Sequence, residues 1–369
     1  MHKILFILGT RPEIIKLAPV IMAVENEGMK PVVLHTGQHR EIAEEMFRVF
    51  KINPDIRLDV MRENQTLFSV SSRILEKLEP VFADCRYSMT VVQGDTTSAF
   101  LGALSGYYTK TPVAHVEAGL RSNDKFSPFP EEGNRRLAGS LTDLHFPPTE
   151  LSRKNLLKEG IQPNNIHVTG NTVIDALFWA LKLPYQPSEK LKTIYDSAKR
   201  LILVTSHRRE SFGEPQRRVF RALYEIVQNY SEVEILFPVH PNPNVRREVA
   251  DILENHPRIH LCAPLGYLDF IHAMEKSEII MSDSGGVQEE APSLKKPVLV
   301  LRDVTERPEG LESGALKLVG TDGEKIFAEC EKLLESPAEY SAMTRNPNPY
   351  GDGRAAFRIA KSIKLFLSE

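Results

Sequence analysis

Short apolar runs alternate along the chain with longer segments that are apolar on one face only. The first pair is an apolar run at residues 3–8, followed by a segment whose apolar positions recur at helical spacing from Ile14 to Val24. Apolar runs of this length, bounded by turn-forming residues, are typical of buried parallel strands, and the amphipathic segments are typical of crossover helices. The pattern predicts an α/β protein with parallel, doubly wound sheets.

The same alternation predicts the remaining elements. Further strands are predicted at residues 31–35, 89–92, 112–116, 144–146, 166–168, 201–205, 233–237, 259–261, 279–281 and 298–301. Further helices are predicted up to residue 47, over 67–77, up to 107, after 131, over 172–181 and over 353–367. The segment 182–199 is rich in Pro, Lys and Ser, and the strand–turn–helix pattern restarts after it. We therefore predict two Rossmann-like domains facing a central cleft, residues 1–172 and 173–352.

Composition limits the function classes. A chain of 369 residues with 41% hydrophobic and 26% charged residues suits a soluble protein of two domains. Its net charge of −3 argues against a general nucleic-acid partner. Cys85, Cys262 and Cys330 are far apart, which predicts reduced thiols and no zinc site. The apolar run at 4–8 is too short for a signal peptide or a membrane span, so we expect a cytoplasmic protein without a membrane partner.

One predicted strand ends in a glycine pair. The apolar run at 279–281 leads into Ser282-Asp283-Ser284-Gly285-Gly286, and a helix-forming segment follows. Glycines let an anion approach the backbone, and the first N–H groups of the helix would point at it, so the turn predicts a diphosphate cradle. Glu290, one turn on, could accept hydrogen bonds from ribose hydroxyls. The alternative is a simple tight turn followed by solvated carboxylates.

Polar residues follow nearly every predicted strand. These residues are Arg11, His39, Asp95, Glu117 and Arg121 in the first half, and His207, His240 and Ser284 in the second. Ligands of open α/β sheets bind at the carboxyl ends of the strands, so we expect acids on one wall of the cleft and histidines on the other.

Each of these positions has a structural alternative. Asp95 could be the N-cap of the helix that starts near Thr96, and Glu131 could be a first-turn acid that complements a helix dipole. Arg307, after the last strong strand, is expected to face a phosphate or base, with a surface salt bridge as the alternative.

Three familiar enzyme signatures do not apply. Tyr195 and Lys199 match the Tyr-x-x-x-Lys pair of nicotinamide-dependent sugar epimerases, but we interpret this match as coincidence because no Gly-x-Gly-x-x-Gly turn follows the first strand. No Walker sequence is present, and no His-Glu-x-x-His or Cys/His cluster predicts a metal site. We expect no cofactor.

Taken together, the motifs resemble those of the non-hydrolysing UDP-N-acetylglucosamine 2-epimerases, in order and with similar spacing from residue 3 to about residue 320. They are Gly9-Thr10-Arg11-Pro12-Glu13, Gly37-Gln38-His39, Gln93-Gly94-Asp95-Thr96-Thr97, His115-Val116-Glu117-Ala118-Gly119-Leu120-Arg121, Pro130-Glu131-Glu132-Gly133-Asn134-Arg135, Thr169-Gly170-Asn171, His207-Arg208-Arg209-Glu210, His240-Pro241-Asn242, Asp283-Ser284-Gly285-Gly286-Val287-Gln288-Glu289-Glu290 and Thr305-Glu306-Arg307-Pro308-Glu309.

The resemblance implies the GT-B architecture, a helix at 353–369 that returns to the first domain, and a homodimer. The implied reaction interconverts UDP-GlcNAc and UDP-ManNAc for surface polysaccharide synthesis, by elimination of UDP to 2-acetamidoglucal and re-addition. The implied catalytic residues are Asp95, Glu117, Glu131 and His207. The implied UDP-binding residues are Arg11, Lys16, His240, Phe270, Ser284, Gly285, Gly286, Glu290 and Arg307. Gln38 and His39 match a loop through which some bacterial members bind an activating second UDP-GlcNAc.

Three alternatives share these motifs. A close relative could act on UDP-2,3-diacetamido-2,3-dideoxy-glucuronate, and a GT-B glycosyltransferase would share the diphosphate turn. A nucleotide-sugar sensor would bind without turnover. Which carboxylate is the base and which is the acid stays open.

Overall fold

The chain divides into two compact α/β units. The structure, a computed structural model, describes residues 1–37, 40–62, 64–208, 211–254 and 256–368. One unit comprises Met1–Trp179 with Tyr350–Glu369, and the other comprises Ala180–Pro349. The division falls at the end of a helix whose first residue is Thr172, whereas the apolar pattern predicts a boundary at that first residue.

The first unit is built on a six-stranded parallel sheet in the order β3-β2-β1-β4-β5-β6. Its strands are β1 (Lys3–Leu8), β2 (Lys30–His35), β3 (Ile56–Arg57), β4 (Met89–Gln93), β5 (Val113–Val116) and β6 (Leu144–Phe146). Its helices are α1 (Arg11–Asn26), α2 (Arg40–Phe50), α3 (Leu67–Asp84), α4 (Thr97–Tyr108), α5 (Glu131–Ser140), α6 (Glu150–Lys158), α7 (Thr172–Ala180) and the C-terminal α16 (Ala355–Phe366), with a short 3-10 helix at Pro163–Asn165.

The second unit repeats the plan, with strand order β12-β11-β10-β7-β8-β9. Its strands are β7 (Arg200–Thr205), β8 (Val233–Pro238), β9 (Ile259–Cys262), β10 (Ile279–Ser282), β11 (Val298–Val300) and β12 (Leu316–Leu318). Its helices are α8 (Glu189–Ser197), α9 (Glu214–Asn229), α10 (Pro243–Leu253), α11 (Tyr267–Lys276), α12 (Gly285–Glu290), α13 (Pro308–Glu312), α14 (Gly323–Glu335) and α15 (Pro337–Thr344), with a 3-10 helix at Ala291–Leu294. The prediction of two Rossmann-like parallel-sheet units, as in GT-B proteins, is confirmed.

The strands adopt this order because the most apolar of them lie at the sheet centres. In β1 the side chains from Ile4 to Leu8 are inaccessible to solvent, as expected for a strand covered on both faces. Helix α4 packs closely over this region at Gly102, where a Cβ atom would lie 3.0 Å from side-chain atoms of Ile7 and Val92. This close packing holds α4 against β1 and β4.

Several local predictions were wrong. The predicted strand at 166–168 is a single bridge between Ile166 and His145, and β3 and β12 were not predicted. Helix α3 extends past residue 77 to Asp84 in spite of Pro80, and the predicted linker contains α8. Short strands and a helix in a polar segment depend on neighbouring strands and helices that a local pattern does not show.

The C-terminal helix is held to the first unit by hydrogen bonds. The carboxylate of Asp175 accepts hydrogen bonds from the backbone N–H groups of Ala355 and Ala356 at the start of α16, at 3.2 and 2.9 Å. Just before α16, the Tyr350 carbonyl accepts a hydrogen bond from the Asn171 N–H. Within the described ranges, none of the helices has the length and apolarity that a membrane span requires.

Candidate active site

Glu117 lies directly after β5, at its carboxyl end, and three side chains donate hydrogen bonds to it. Its side chain is buried, and its two carboxylate oxygens lie 2.6 and 2.7 Å from Nζ of Lys16. The amides of Gln93 and Asn171 also donate to it, the latter at 3.3 Å. Its backbone has a positive φ of 62°, which is strained for a residue with a side chain and is common at functional sites. These contacts fix the carboxylate where β4 and β5 end.

Asp95 follows β4, the strand beside β5. Its carboxylate forms an ion pair with Arg135 of α5, and its carbonyl accepts a hydrogen bond from the Asn134 amide at 2.9 Å. The N-cap interpretation of Asp95 was wrong, since the hydroxyl of Thr96 caps α4 by accepting the N–H of Ala99 at 3.0 Å. The Asp95 side chain is therefore directed by α5 and not by its own helix.

The two acids at the start of α5 differ in their surroundings. Glu132 is inaccessible to solvent and accepts hydrogen bonds from the Ser122 N–H, Arg135 and Arg136. Burial opposes its ionisation, but these donors outweigh burial and lower its pKa. Oε2 of Glu131 is buried and has no hydrogen-bond partner within the described part of the chain. Glu132 is thus a structural anchor for Arg135, whereas Glu131 has a buried oxygen that no described donor satisfies.

The turn between β1 and α1 adds a cation. Arg11 is the first residue of α1 and is exposed, and no side-chain partner of its guanidinium is present among the described residues. Lys16, predicted to hold UDP, lies one turn further on and contacts Glu117. The first unit therefore gathers Asp95, Glu117 and Glu131 at the same sheet edge as Arg11 and Lys16.

In the second unit, the glycine turn follows β10. Ser284 is the N-cap of α12, which begins with Gly285 and Gly286. The guanidinium of Arg307 lies over this turn, because a Cβ atom on Gly285 would be 3.4 Å from its Nη2. Nε of Arg307 donates to the buried Glu289 at 2.5 Å, which holds the side chain in place. The turn thus presents backbone N–H groups and an arginine together, the combination that favours a phosphate.

Gln288 and Glu290 support the same turn. The side chain of Gln288 donates to the Ser284 carbonyl and accepts from the Thr305 hydroxyl, at 3.2 and 2.5 Å. Glu290 is buried, and its Oε2 would lie 3.8 Å from a Cβ atom on Gly286. The alternative in which both glutamates after the turn are solvated is wrong, because Glu289 and Glu290 are 2% and 8% exposed.

Two histidines follow β7, which pairs with β10, and β8, which pairs with β7 on its other side. Nδ1 of His207 lies 2.8 Å from Oδ1 of Asp283, and Oδ2 of Asp283 accepts the backbone N–H groups of His207 and Arg208. Burial would raise the pKa of Asp283, but His207 and these N–H groups outweigh burial and lower it. The His240 ring stacks on that of His207 with centroids 5.9 Å apart. Burial lowers the pKa of His240, and His207 lowers it further.

The remaining predicted residues either contact other parts of the chain or lie outside the described residues. Phe270 is half-buried in α11, and its backbone N–H donates to Gly266. Gln38 and His39 lie outside the described residues. Arg121 is paired with Glu159 at 2.6 Å, away from Glu117. In the part of the chain that the structure describes, no group of His, Cys, Asp or Glu could hold a metal ion.

Sequence reasoning missed several residues that position the site. Glu13, Arg135, Asn171 and Asp283 lie inside the quoted motifs but received no role. Their contacts join distant segments, as between Asn171 and Glu117 or Arg135 and Asp95. The available signal was their presence within motifs whose other members are polar. Asp283, directly after a buried strand, was the most accessible of them.

The chain has two parallel-sheet units. One carries carboxylates and cations at its strand ends, and the other carries a glycine turn, an arginine and histidines. These features define an α/β enzyme of the GT-B class. The family profile described as UDP-N-acetylglucosamine 2-epimerase matches residues 22–364. The chain belongs to this family, and it is an enzyme of the isomerase class.

Individual relatives agree with this assignment over almost the whole chain. The UDP-N-acetylglucosamine 2-epimerase of Yersinia pestis is 48% identical over 369 aligned positions, which cover 98% of each chain. A crystal structure from Listeria monocytogenes is 44% identical, with a TM-score of 0.94 over 99% of this chain and 96% of that one. The UDP-GlcNAc 2-epimerase of Neisseria meningitidis, solved with UDP-GlcNAc bound, is 42% identical, with a TM-score of 0.87 over 98% of this chain and 100% of that one.

Proposed function

We propose that this enzyme interconverts UDP-GlcNAc and UDP-ManNAc by eliminating and re-adding UDP. A carboxylate removes the proton from C2 while the C1–O bond to UDP breaks, which leaves 2-acetamidoglucal. A carboxylic acid on the opposite face then returns a proton to C2, and an oxygen of the β-phosphate forms the new bond to C1. The C2 proton is weakly acidic, so a positioned base and acid are each expected to contribute about 10²- to 10⁴-fold.

The observation that carries the proposal is that the three acids of the first unit have different hydrogen-bond and ion-pair partners. Lys16 bonds both oxygens of Glu117 and fixes the orientation of this carboxylate, as proton transfer to or from the sugar ring requires. Glu131 has a buried oxygen without a partner among the described residues, which suits a group that exchanges a proton with a ligand. Asp95 is paired with Arg135, so it would stabilise developing positive charge on the ring as a carboxylate.

The residues proposed to bind UDP would stabilise the departing diphosphate. The backbone N–H groups at Gly285 and Gly286, with Arg307 over them, would bind phosphate oxygens, and Glu290 would contact the ribose. Nδ1 of His207 lies 2.8 Å from Asp283, so Nε2, on the other side of the ring, would be the atom that meets the diphosphate. Arg11 and His240 would add positive charge or hydrogen bonds at the phosphates.

The experiment is incubation with UDP-GlcNAc in deuterated water. Deuterium incorporation at C2, with UDP-ManNAc as product and with UDP and the glycal detected by mass spectrometry, is the expected result. Glu131→Gln should abolish incorporation and still bind UDP. Deuterium-free substrate after full incubation would contradict the proposal and favour glycosyl transfer or binding alone. Incorporation only with UDP-2,3-diacetamido-2,3-dideoxy-glucuronate would reassign the substrate and keep the chemistry.

A further inference from the structure

Glu13 is a buried carboxyl group that contacts two different turns of the first unit. The residue is 1% exposed. Its Oε2 accepts hydrogen bonds from the Thr10 N–H and hydroxyl, both at 2.7 Å, and from the Gly9 N–H at 3.2 Å. Its Oε1 accepts the hydroxyl of Thr96 at 2.7 Å. Four donors therefore surround one carboxyl group, and burial raises its pKa in spite of them.

Each of these turns carries a residue of the proposed site. Gly9 and Thr10 form the turn that ends β1, and Arg11 follows directly. Thr96 lies in the turn that ends β4, immediately after Asp95, and its hydroxyl caps α4. A displacement at Glu13 would therefore move the backbone that carries Arg11 and the backbone that carries Asp95.

Helix capping alone does not require this arrangement. Glu339 occupies the same third position of α15, after the N-cap Ser336, and it is exposed to solvent. Glu13 instead has an inaccessible side chain, and one of its two oxygens accepts a hydrogen bond from a turn more than 80 positions away in the chain. Burying a carboxyl group is unfavourable unless it is fully hydrogen-bonded, so the contact to Thr96 has a cost that an exposed cap avoids.

We propose that Glu13 is a positioning residue, which fixes Arg11 and Asp95 relative to each other by tying the β1–α1 turn to the β4–α4 turn. The inference rests on the proposed function, since Arg11 would bind the phosphates and Asp95 would act at the sugar ring. Glu13 itself touches neither reacting atoms nor substrate. Its removal should therefore change kcat and KM together, because both side chains lose their support.

The test compares Glu13→Ala, Glu13→Gln and Thr96→Val with the matched control Glu339→Ala. We expect Glu13→Ala to lower kcat/KM by about 100-fold, since displacements near 1 Å at an active site have effects of that size. Glutamine keeps an acceptor for the first turn and only reverses the bond to Thr96, so it should restore most of this loss. The variant combining Glu13→Ala with Thr96→Val should lose less in kcat/KM than the product of the two single losses, because both substitutions remove the same tie. Glu339→Ala should match the wild type.

Activities are taken per folded molecule, well below the melting temperature of each variant. Unchanged kcat and KM in folded Glu13→Ala, with only a lower melting temperature, would overturn the proposal and assign Glu13 a structural role. If Glu13→Ala does not fold, Thr96→Val decides in the same way, and full activity in that variant overturns the proposal.

A function-independent measurement keeps this inference separate from the proposed reaction. Wild-type protein without deuterium incorporation would refute the epimerase proposal. The tie would then be tested by amide hydrogen exchange at Gly9 and Thr10, which needs no substrate. Thr96→Val leaves the acceptor of these two amides in place and removes only the bond between the turns, so faster exchange at both amides in Thr96→Val supports the tie, and unchanged exchange contradicts it.

Discussion

Replacement of Lys16 by methionine tests the electrostatics of the first unit most directly. Lys16 and Glu117 form an ion pair with oxygen–nitrogen distances of 2.6 and 2.7 Å, and their side chains are 15% and 6% exposed. Methionine preserves the length and apolar stem of lysine and removes only the ammonium group. Glu117 then keeps the neutral amides of Gln93 and Asn171 but loses the opposite charge.

The magnitude follows from the burial of the pair. The direct attraction at this separation is about 6 kcal/mol at an effective dielectric constant near 20. Desolvation of both groups offsets part of it, and loss of one partner of a buried pair costs about 3 kcal/mol or more. For a unit of this size, that loss lowers the melting temperature by about 6 to 12 °C.

The assay is thermal unfolding followed by circular dichroism, with Lys364→Met as the matched control. Lys364 pairs with Glu27 at 3.0 Å, but its side chain is 52% exposed, so its loss should cost less than about 1 kcal/mol. The double variant Lys16→Met, Glu117→Gln should be more stable than the sum of the single variants predicts. Equal melting temperatures for Lys16→Met and Lys364→Met, or strictly additive effects, would refute the reasoning.

Three further predictions follow from single contacts. Burial lowers the pKa of His115 to about 4 and of His145 to about 3, so the unfolded chain binds more protons below pH 6.5. The free energy of unfolding should therefore fall as the pH drops from 6.5 toward 4, by about 1.4 kcal/mol per pH unit for each histidine, and urea titrations of His145→Met should show a smaller fall. Asp175→Ala should cost about 1–2 kcal/mol in urea unfolding, because α16 loses its cap, and Asp175→Asn should cost less; equal losses would contradict the capping role. Arg307→Lys should weaken UDP binding about tenfold in titration calorimetry, because lysine lacks the planar fork, whereas Arg221→Lys, at an exposed ion pair, should have no effect.

The apolar pattern determined the fold class and most of the elements. Runs such as Ile4–Leu8 and residues 279–281 are buried on both faces, so their hydrophobicity is continuous and visible without any partner. The glycine pair after β10 also marked its turn correctly, since the backbone geometry there is a local property. Family membership, inferred from motifs in order, is confirmed by relatives that cover nearly the whole chain.

Tertiary structure decided how the polar residues are paired. The motifs imply that Lys16 binds UDP and that Asp95 is catalytic, and the folded chain adds their partners, Glu117 and Arg135. These partners are distant in sequence and become neighbours only when parallel strands end at the same sheet edge. Burial is also decided by tertiary structure. In the sequence Glu13 is an ordinary first-turn acid, but in the folded chain it is buried and Thr96 contacts its second oxygen. Hydrophobic periodicity is a property of one segment. The interaction energy and the pKa of a charged group depend instead on its surroundings, and only the fold determines those surroundings.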